Sequence, residues 1–249
     1  MPEPILQTKD LTKDFAGFVA VGGIDLSVVE GTIHALIGPN GAGKTTCFNL
    51  LTKFLKPSRG TIKFRGNDIT AMGSAEVARS GLVRSFQITS VFPHLSAFEN
   101  VKIALQQKHG GAYQFWRSPK ALDALDGPAM DLLEQVGLTP YAGISAGILS
   151  YGRKRALEIA TTLALDPVLL LLDEPTAGMT DEDIERVVEL IRRVRTNRTI
   201  IIVEHNLSVV DALCDTITVL SRGRVLAEGT YAEVSTHPEV VSAYLGSPE

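Results

Sequence analysis

At 249 residues, 45% of them hydrophobic and 21% charged, the chain is long enough for one large globular domain, or for a core carrying an inserted subdomain. A formal net charge of −4 supplies no general basic footprint and argues against nucleic acid as a partner. No stretch approaches the ~18 uninterrupted apolar residues of a membrane-spanning helix, and Met1-Pro2-Glu3-Pro4 carries neither region of a secretory signal. Cys47 and Cys214 each sit alone in an apolar pattern. Two buried free thiols in a reducing compartment are expected, not a disulfide or a metal site.

Residues 5–31 alternate in polarity, with turn-like breaks at Ala16-Gly17 and Gly22-Gly23. They read as a small antiparallel sheet. The apolar run 32–37 follows as a buried strand and ends in Gly38-Pro39-Asn40-Gly41-Ala42-Gly43-Lys44-Thr45. This stretch fits G-x-x-x-x-G-K-[ST], the phosphate-binding P-loop, and residues 46–51 after it read as a helix start. Successive backbone N–H groups of such a turn make a concave anion site, and the helix N-terminus adds about half a positive charge aimed at the same place. Lys44 is placed to reach the β- and γ-phosphates of ATP, and the Thr45 hydroxyl to ligate Mg2+. Gly38, Pro39, Asn40, Gly41, Ala42, Gly43, Lys44, Thr45 and Thr46 are therefore the candidate nucleotide-binding residues. A Gly-rich turn beside a surface lysine is the plainer reading, but it leaves the flanking strand and helix unexplained.

Beyond this helix, residues 56–60 signal a turn and 61–64 alternate as a strand. Residues 83–87 form another strand that ends in the polar Gln87. Ser96-Ala97-Phe98-Glu99 is a capping-box pattern and opens a helix running to about Gln107. Residues 109–127 are irregular around Tyr113, Phe115 and Trp116, either as a surface loop or as a contact with another subunit. Helical periodicity resumes over 130–136; 143–149 is a loop and 151–165 a long helix. The apolar run 168–172 reads as a strand buried on both faces. An amphipathic helix over 181–195, with acids first and bases last, suits the helix dipole. A second buried strand covers 199–203, a short helix 206–213, strands 216–220 and 224–227 turn around Gly223, and 237–245 is helical. Strands alternating with helices predict an α/β core with a mostly parallel sheet.

Asp173 and Glu174 close the strand over 168–172. A P-loop ATPase needs an acid here to hold Mg2+ at the mouth of the sheet. Asp173 would bind the metal through water, and Glu174, one residue further out, can polarise the attacking water. Acids that merely cap the next turn are the plainer reading, and the upstream P-loop outweighs it.

Leu149-Ser150-Tyr151-Gly152-Arg153-Lys154-Arg155 opens the helix over 151–165, with Ser150 as a good N-cap and Gly152 permitting close approach. At this point the chain resembles the ATP-binding subunits of ABC transporters, whose signature loop reads L-S-G-G-Q. Serine and the second glycine are kept; Tyr151 and Arg153 depart. The resemblance covers nearly the whole chain and assigns further residues. Phe15 falls where the family stacks an aromatic on adenine, although a lone phenylalanine there would pass for core. Gln87 matches the glutamine that touches Mg2+ and senses the γ-phosphate; taken alone it is a strand-end amide. His205 matches the switch histidine that contacts the γ-phosphate; taken alone it is a structural histidine. Ala177-Gly178-Met179-Thr180-Asp181 occupies the D-loop, with Thr180 where the family has aspartate.

The resemblance implies a single ABC ATPase domain over residues 1–249. A P-loop core with an N-terminal antiparallel β subdomain is expected from residues 1–87 and 160–249. An α-helical subdomain inserted over 88–159 would carry the signature loop. It further implies two ATPase chains meeting head to tail, each ATP lying between one P-loop and the other chain's Ser150 and Gly152. Glu174, His205 and Lys44 would be catalytic, and Thr45, Gln87 and Asp173 would serve Mg2+. Two transmembrane permeases would hold the chain at the cytoplasmic face of the inner membrane, as a peripheral protein soluble when isolated. Their short coupling helices would dock beside Gln87 and Ser90-Val91-Phe92-Pro93, unless Phe92 is ordinary core. The tyrosine-bearing signature, Arg155-Ala156-Leu157-Glu158-Ile159-Ala160 and Ala177-Gly178-Met179 resemble the Liv-type importers of branched-chain amino acids. Relatives in that branch take up urea or short amides. Such transporters pair two different ATPase chains, so a heterodimer is expected over a homodimer, with a periplasmic solute-binding protein as an indirect partner. The alternatives are a lipopolysaccharide-export ATPase of the same superfamily, a soluble ABC ATPase and a P-loop kinase. The single cassette and acidic balance oppose the soluble ATPase, and a kinase would have no need of a Ser150-type loop.

Overall fold

Alternating burial along Pro4–Phe15 makes β1 the spine of an antiparallel sheet: Leu6, Thr8 and Leu11 point inward while Gln7 and Lys9 face out. The coordinates are a computed structural model, which describes residues 3–85, 91–108 and 123–245. Strands β2 (Phe18–Ile24), β3 (Ser27–Val29) and β5 (Arg59–Phe64) all pair with β1, and β6 (Asn67–Asp68) extends β5. The Thr8 hydroxyl is buried but satisfied, donating to Ile24 O at 2.8 Å and accepting from Leu26 N–H at 2.9 Å.

The second sheet runs in the order β11-β10-β4-β9-β8-β7. Its members are β4 (Ile33–Ile37), β7 (Leu82–Arg84), β8 (Leu169–Asp173), β9 (Thr199–Val203), β10 (Thr216–Ser221) and β11 (Arg224–Gly229). Strands β10, β4, β9 and β8 pair in parallel; β11 closes one edge as an antiparallel hairpin with β10. Every residue of β4, β8 and β9 is buried, as continuous apolar runs inside a two-faced parallel sheet require. Helix α1 (Lys44–Leu51) packs Cys47, Phe48, Leu50 and Leu51 into a core shared with Leu36, Leu171 and Ile201. This is a P-loop α/β core with an antiparallel β subdomain.

The chain divides into two compact units. The first holds Met1–Leu82, Val168–Pro175 and Arg195–Glu249; the second holds Val83–Pro167 and Thr176–Val194. The first unit also carries α2 (Ser74–Arg79), α7 (Leu207–Leu213), α8 (Tyr231–Ser235) and α9 (Pro238–Leu245). The second is built from α3 (Ala97–Lys108), α4 (Asp126–Gln135), α5 (Tyr151–Leu163) and α6 (Asp181–Val194). Ser96 and Glu99 cap α3 reciprocally: Ser96 N–H donates to Glu99 Oε2 at 2.7 Å, and Glu99 N–H to Ser96 Oγ at 3.2 Å.

Several boundaries differ from the sequence reading. α4 begins at Asp126, not at 130, because Pro128 sits in the first turn, where its missing N–H has no partner to lose. α2, α8 and β6 escaped the reading; each is too short for its periodicity to register. Gln87 and most of the irregular stretch 109–127 lie outside the described residues. Cys47 is buried as expected, but Cys214 is only half-buried, at the end of α7. No helix among the described residues is long and apolar enough to cross a membrane.

Candidate nucleotide-binding site

In the first unit, β4 delivers the chain into the Gly-rich turn and α1 leaves it. Gly43 caps α1 at φ 100°, and a Cβ there would come within 2.6 Å of Ala20 O on β2. Only glycine lets the loop pass this close to the neighbouring strand. The first N–H groups of a helix lack intrahelical acceptors. The N-terminus of α1 has no side-chain cap and no acid in its first turn, which leaves it suited to an anion. Lys44 is buried, with Nζ donating to Gly38 O at 2.6 Å and to Pro39 O at 3.0 Å. Burial pulls its pKa below the usual lysine range, and the carboxylates of Glu174 and Asp173 act in the opposite direction. The Thr45 side chain is exposed, and Thr46 half-buried.

Asp173 ends β8 at 7% exposure, and its register partner is Val203 of β9. Glu174 follows at φ 45°, left-handed for a non-glycine residue, with its N–H bonded to Val203 O at 2.9 Å. Such a backbone costs about 1–3 kcal/mol and is common where geometry serves function. Across the same strand pair, His205 Nε2 stands 2.8 Å from Glu174 Oε1. The sequence reading missed Glu204. Its side chain is buried, and Oε2 accepts the backbone N–H of His205 at 3.0 Å and of Asn206 at 3.3 Å, holding the loop that presents His205. An acid directly beside a candidate histidine was the signal available. Phe15 is 44% exposed, so it is not core; Lys13 Nζ lies 5.1 Å from its ring centroid.

Thus Gly38 to Thr46, Asp173, Glu174, His205 and Phe15 all belong to the first unit. Among the described residues no group of three or more His, Cys, Asp or Glu side chains could hold a metal unaided. A divalent ion at Thr45 and Asp173 would need phosphate oxygens to complete its shell, as Mg2+ at a nucleotide does. Donors and charge here fit a magnesium nucleotide.

Ser150 and Gly152 lie in the second unit, at the start of α5. Ser150 is the N-cap by position but makes no side-chain capping bond, contrary to the usual use of a serine there, and it is exposed. Further along α5, Arg155 Nη1 and Glu158 Oε2 pair at 2.7 Å in a buried position, where burial raises the Glu158 pKa.

A P-loop at the end of a parallel strand, with paired acids closing the strand two places along the same sheet, defines a nucleoside-triphosphatase core. Comparison with known proteins refines this. The ABC transporter family matches residues 21–177, and the branched-chain amino acid ATP-binding cassette transporter family matches residues 224–249. The chain is 39% identical to the high-affinity branched-chain amino acid transport ATP-binding protein BraF of Pseudomonas aeruginosa, and 38% identical to LivG of Escherichia coli strain K12. Each alignment covers 99% of both chains. Among solved structures, the ADP conformation of MJ1267, an ATP-binding cassette of an ABC transporter, superposes with a TM-score of 0.85. It is 29% identical and covers 98% of this chain and 99% of the other. A nucleotide-free ATP-binding cassette from an ABC transporter also gives 0.85, at 28% identity. The chain belongs to the ABC transporter family, as one of its ATP-binding cassettes.

Proposed function

We propose that this chain is the ATP-hydrolysing subunit of a solute importer whose cargo is branched-chain amino acids. The observation that carries the reading is near-complete, two-way coverage by branched-chain amino acid transport ATP-binding proteins at 38–39% identity. Two transmembrane permeases would bind it at the cytoplasmic face of the plasma membrane. A second, different ATPase chain would complete the nucleotide sites, and a periplasmic binding protein would supply solute. Residues 88–159 act in this reading as the helical subdomain.

ATP would lie with its phosphates over the turn Gly38 to Thr46 and its base against Phe15, and Gln87 would follow the γ-phosphate. Lys44 would exchange its carbonyl partners for phosphate oxygens, ionised acceptors in place of neutral ones. Thr45 and Asp173 would hold Mg2+, whose charge would offset that of the phosphates. Glu174 orients the attacking water and takes its proton, and His205 holds the Glu174 carboxylate in place. The signature loop of the second chain would cover the γ-phosphate, and Ser150 and Gly152 of this chain would cover that of the ATP on the second chain. Burial of ATP between two chains moves the permeases only through its differential affinity for open and closed states.

The test is reconstitution of the complete complex in proteoliposomes with its binding protein. ATP-dependent leucine uptake is expected, with no uptake of urea. Urea or amide uptake would transfer the chain to its sister branch. Absence of coupled import of either solute, with ATPase intact, would overturn the importer reading.

A further inference from the structure

Gly152 is the second residue of α5, and a Cβ added there would stand 2.8 Å from Asp183 Oδ1 and 3.0 Å from its Cγ. Both residues lie in the second unit. Asp183, in the first turn of α6, has a side chain only 22% exposed, and its carboxylate is held from two sides. Arg186 Nη1 donates to Oδ1 at 3.3 Å, and Thr180 Oγ1 donates to Oδ2 at 3.4 Å. Asp183 N–H lies 3.4 Å from Thr180 Oγ1, and Ile184 N–H donates to Thr180 O at 2.9 Å. Thr180 is therefore the cap of α6, and its hydroxyl can donate to Asp183 where a carboxylate could not, which is a local reason for threonine where the family has aspartate. Arg153, the other departure, lays its guanidinium 4.0 Å from the Tyr141 ring centroid. Gly152, Arg153, Tyr141, Asp183 and Arg186 share one cleft of about 670 Å3.

We propose that Asp183 is a positioning residue. Its carboxylate, pinned by Thr180 and Arg186, seats against the α-carbon of Gly152 and fixes the first turn of α5, and with it Ser150, to the start of α6. The glycine is then demanded by Asp183 of the same chain, and a methyl at 152 acts by turning that carboxylate off Thr180 and Arg186. The consequence for catalysis rests on the proposed capture of ATP by the Ser150 loop. A displaced loop weakens capture before it affects the chemical step, so the ATP requirement moves and the maximal rate does not.

The test compares Gly152→Ala, Asp183→Ala, Asp183→Asn and the double variant Gly152→Ala/Asp183→Ala in the assembled transporter. Asp183→Ala should raise KM for ATP about 3-fold or more with kcat within about 2-fold, and Asp183→Asn, which keeps the shape, one acceptor for Arg186 and an amide that can donate to Thr180 Oγ1, should stay near wild type. Gly152→Ala should raise KM for ATP about 10-fold or more, and the double variant should bring it back down about 3-fold or more. A double variant with the KM of Gly152→Ala, or an Asp183→Ala complex with unchanged KM, overturns the proposal. Should Gly152→Ala not assemble, thermal unfolding of the full chain reads the same pair. The drop caused by Gly152→Ala should shrink in the Asp183→Ala background, and an equal drop overturns the proposal. Ser150→Ala separates the two levels: unaltered ATPase in that variant removes phosphate capture by the loop, whereas the suppression tests the Gly152–Asp183 contact alone.

Discussion

His205 Nε2 and Glu174 Oε1 meet at 2.8 Å, each carried just past the end of one of two adjacent parallel strands whose register pairs Asp173 with Val203. In the proposed mechanism this histidine and carboxylate act as one unit, with the imidazole orienting the base. Glu174→Gln keeps the shape and a hydrogen bond to His205 but cannot accept a proton. Turnover should fall about 100-fold or more while ATP affinity holds, and the ATP-bound dimer should accumulate. Steady-state hydrolysis at the wild-type rate would remove Glu174 from the mechanism.

Lys44 is placed to exchange the carbonyls of Gly38 and Pro39 for phosphate. Loss of a charged hydrogen bond is worth about 1.5–3 kcal/mol. Lys44→Ala should therefore weaken ATP binding about 10- to 100-fold by calorimetry, with hydrolysis falling in parallel. Wild-type affinity in this variant would contradict the assignment of the loop.

Phe92 is 52% exposed, so the core alternative for it is not what the structure contains. Its backbone is held rigidly, with N–H donating to Asn100 Oδ1 at 2.7 Å and C=O accepting from Asn100 Nδ2 at 3.1 Å. A fixed, exposed aromatic suits docking on a permease. Phe92→Asp should shift the unfolding midpoint by no more than about 2 °C, as surface substitutions do. ATP binding should persist, and co-purification with the permeases should be lost. Normal assembly and uptake would exclude Phe92 from the docking surface.

His34 sits buried on β4, with Nε2 at 2.7 Å from Thr218 Oγ1, which in turn donates to Glu228 Oε2 at 2.6 Å. Thr218 has one proton to give, so His34 Nε2 is the donor toward it. Burial lowers the His34 pKa from 6.5 to about 4. A lowered histidine pKa means that the unfolded chain takes up the proton first as pH falls. Stability from this group is intact above pH ~6.5 and declines down to pH ~4, by about 3 kcal/mol in all. An imidazole NMR titration should find His34 neutral at pH ~5, and denaturant midpoints should drop across the same interval. A His34 signal titrating near 6.5 would contradict this.

Much of the site was legible in the sequence because its parts are local. The spacing from Gly38 to Thr45 marks a strand–turn–helix, and an apolar run as short as Leu169–Asp173, closed by turn residues, reads as a buried strand with its acid at the exit. The three acids and two bases that polarise α6, and the Ser96–Glu99 cap of α3, are likewise set within one or two helical turns. What neighbours in sequence do not encode is strand order and register. Only the pairing of β8 with β9 sets Glu174 against His205, and only the seating of Glu204 under its own loop shows that it holds His205. The departures at Arg153 and Thr180 were visible as residues but had no reason attached. Their partners Tyr141 and Asp183 lie on other elements or across a turn, and contact depends on side-chain packing. Gly152 makes the point most directly: the sequence marks it as a signature glycine, whereas the carboxylate that leaves no room for a methyl there comes from a helix that follows an intervening strand.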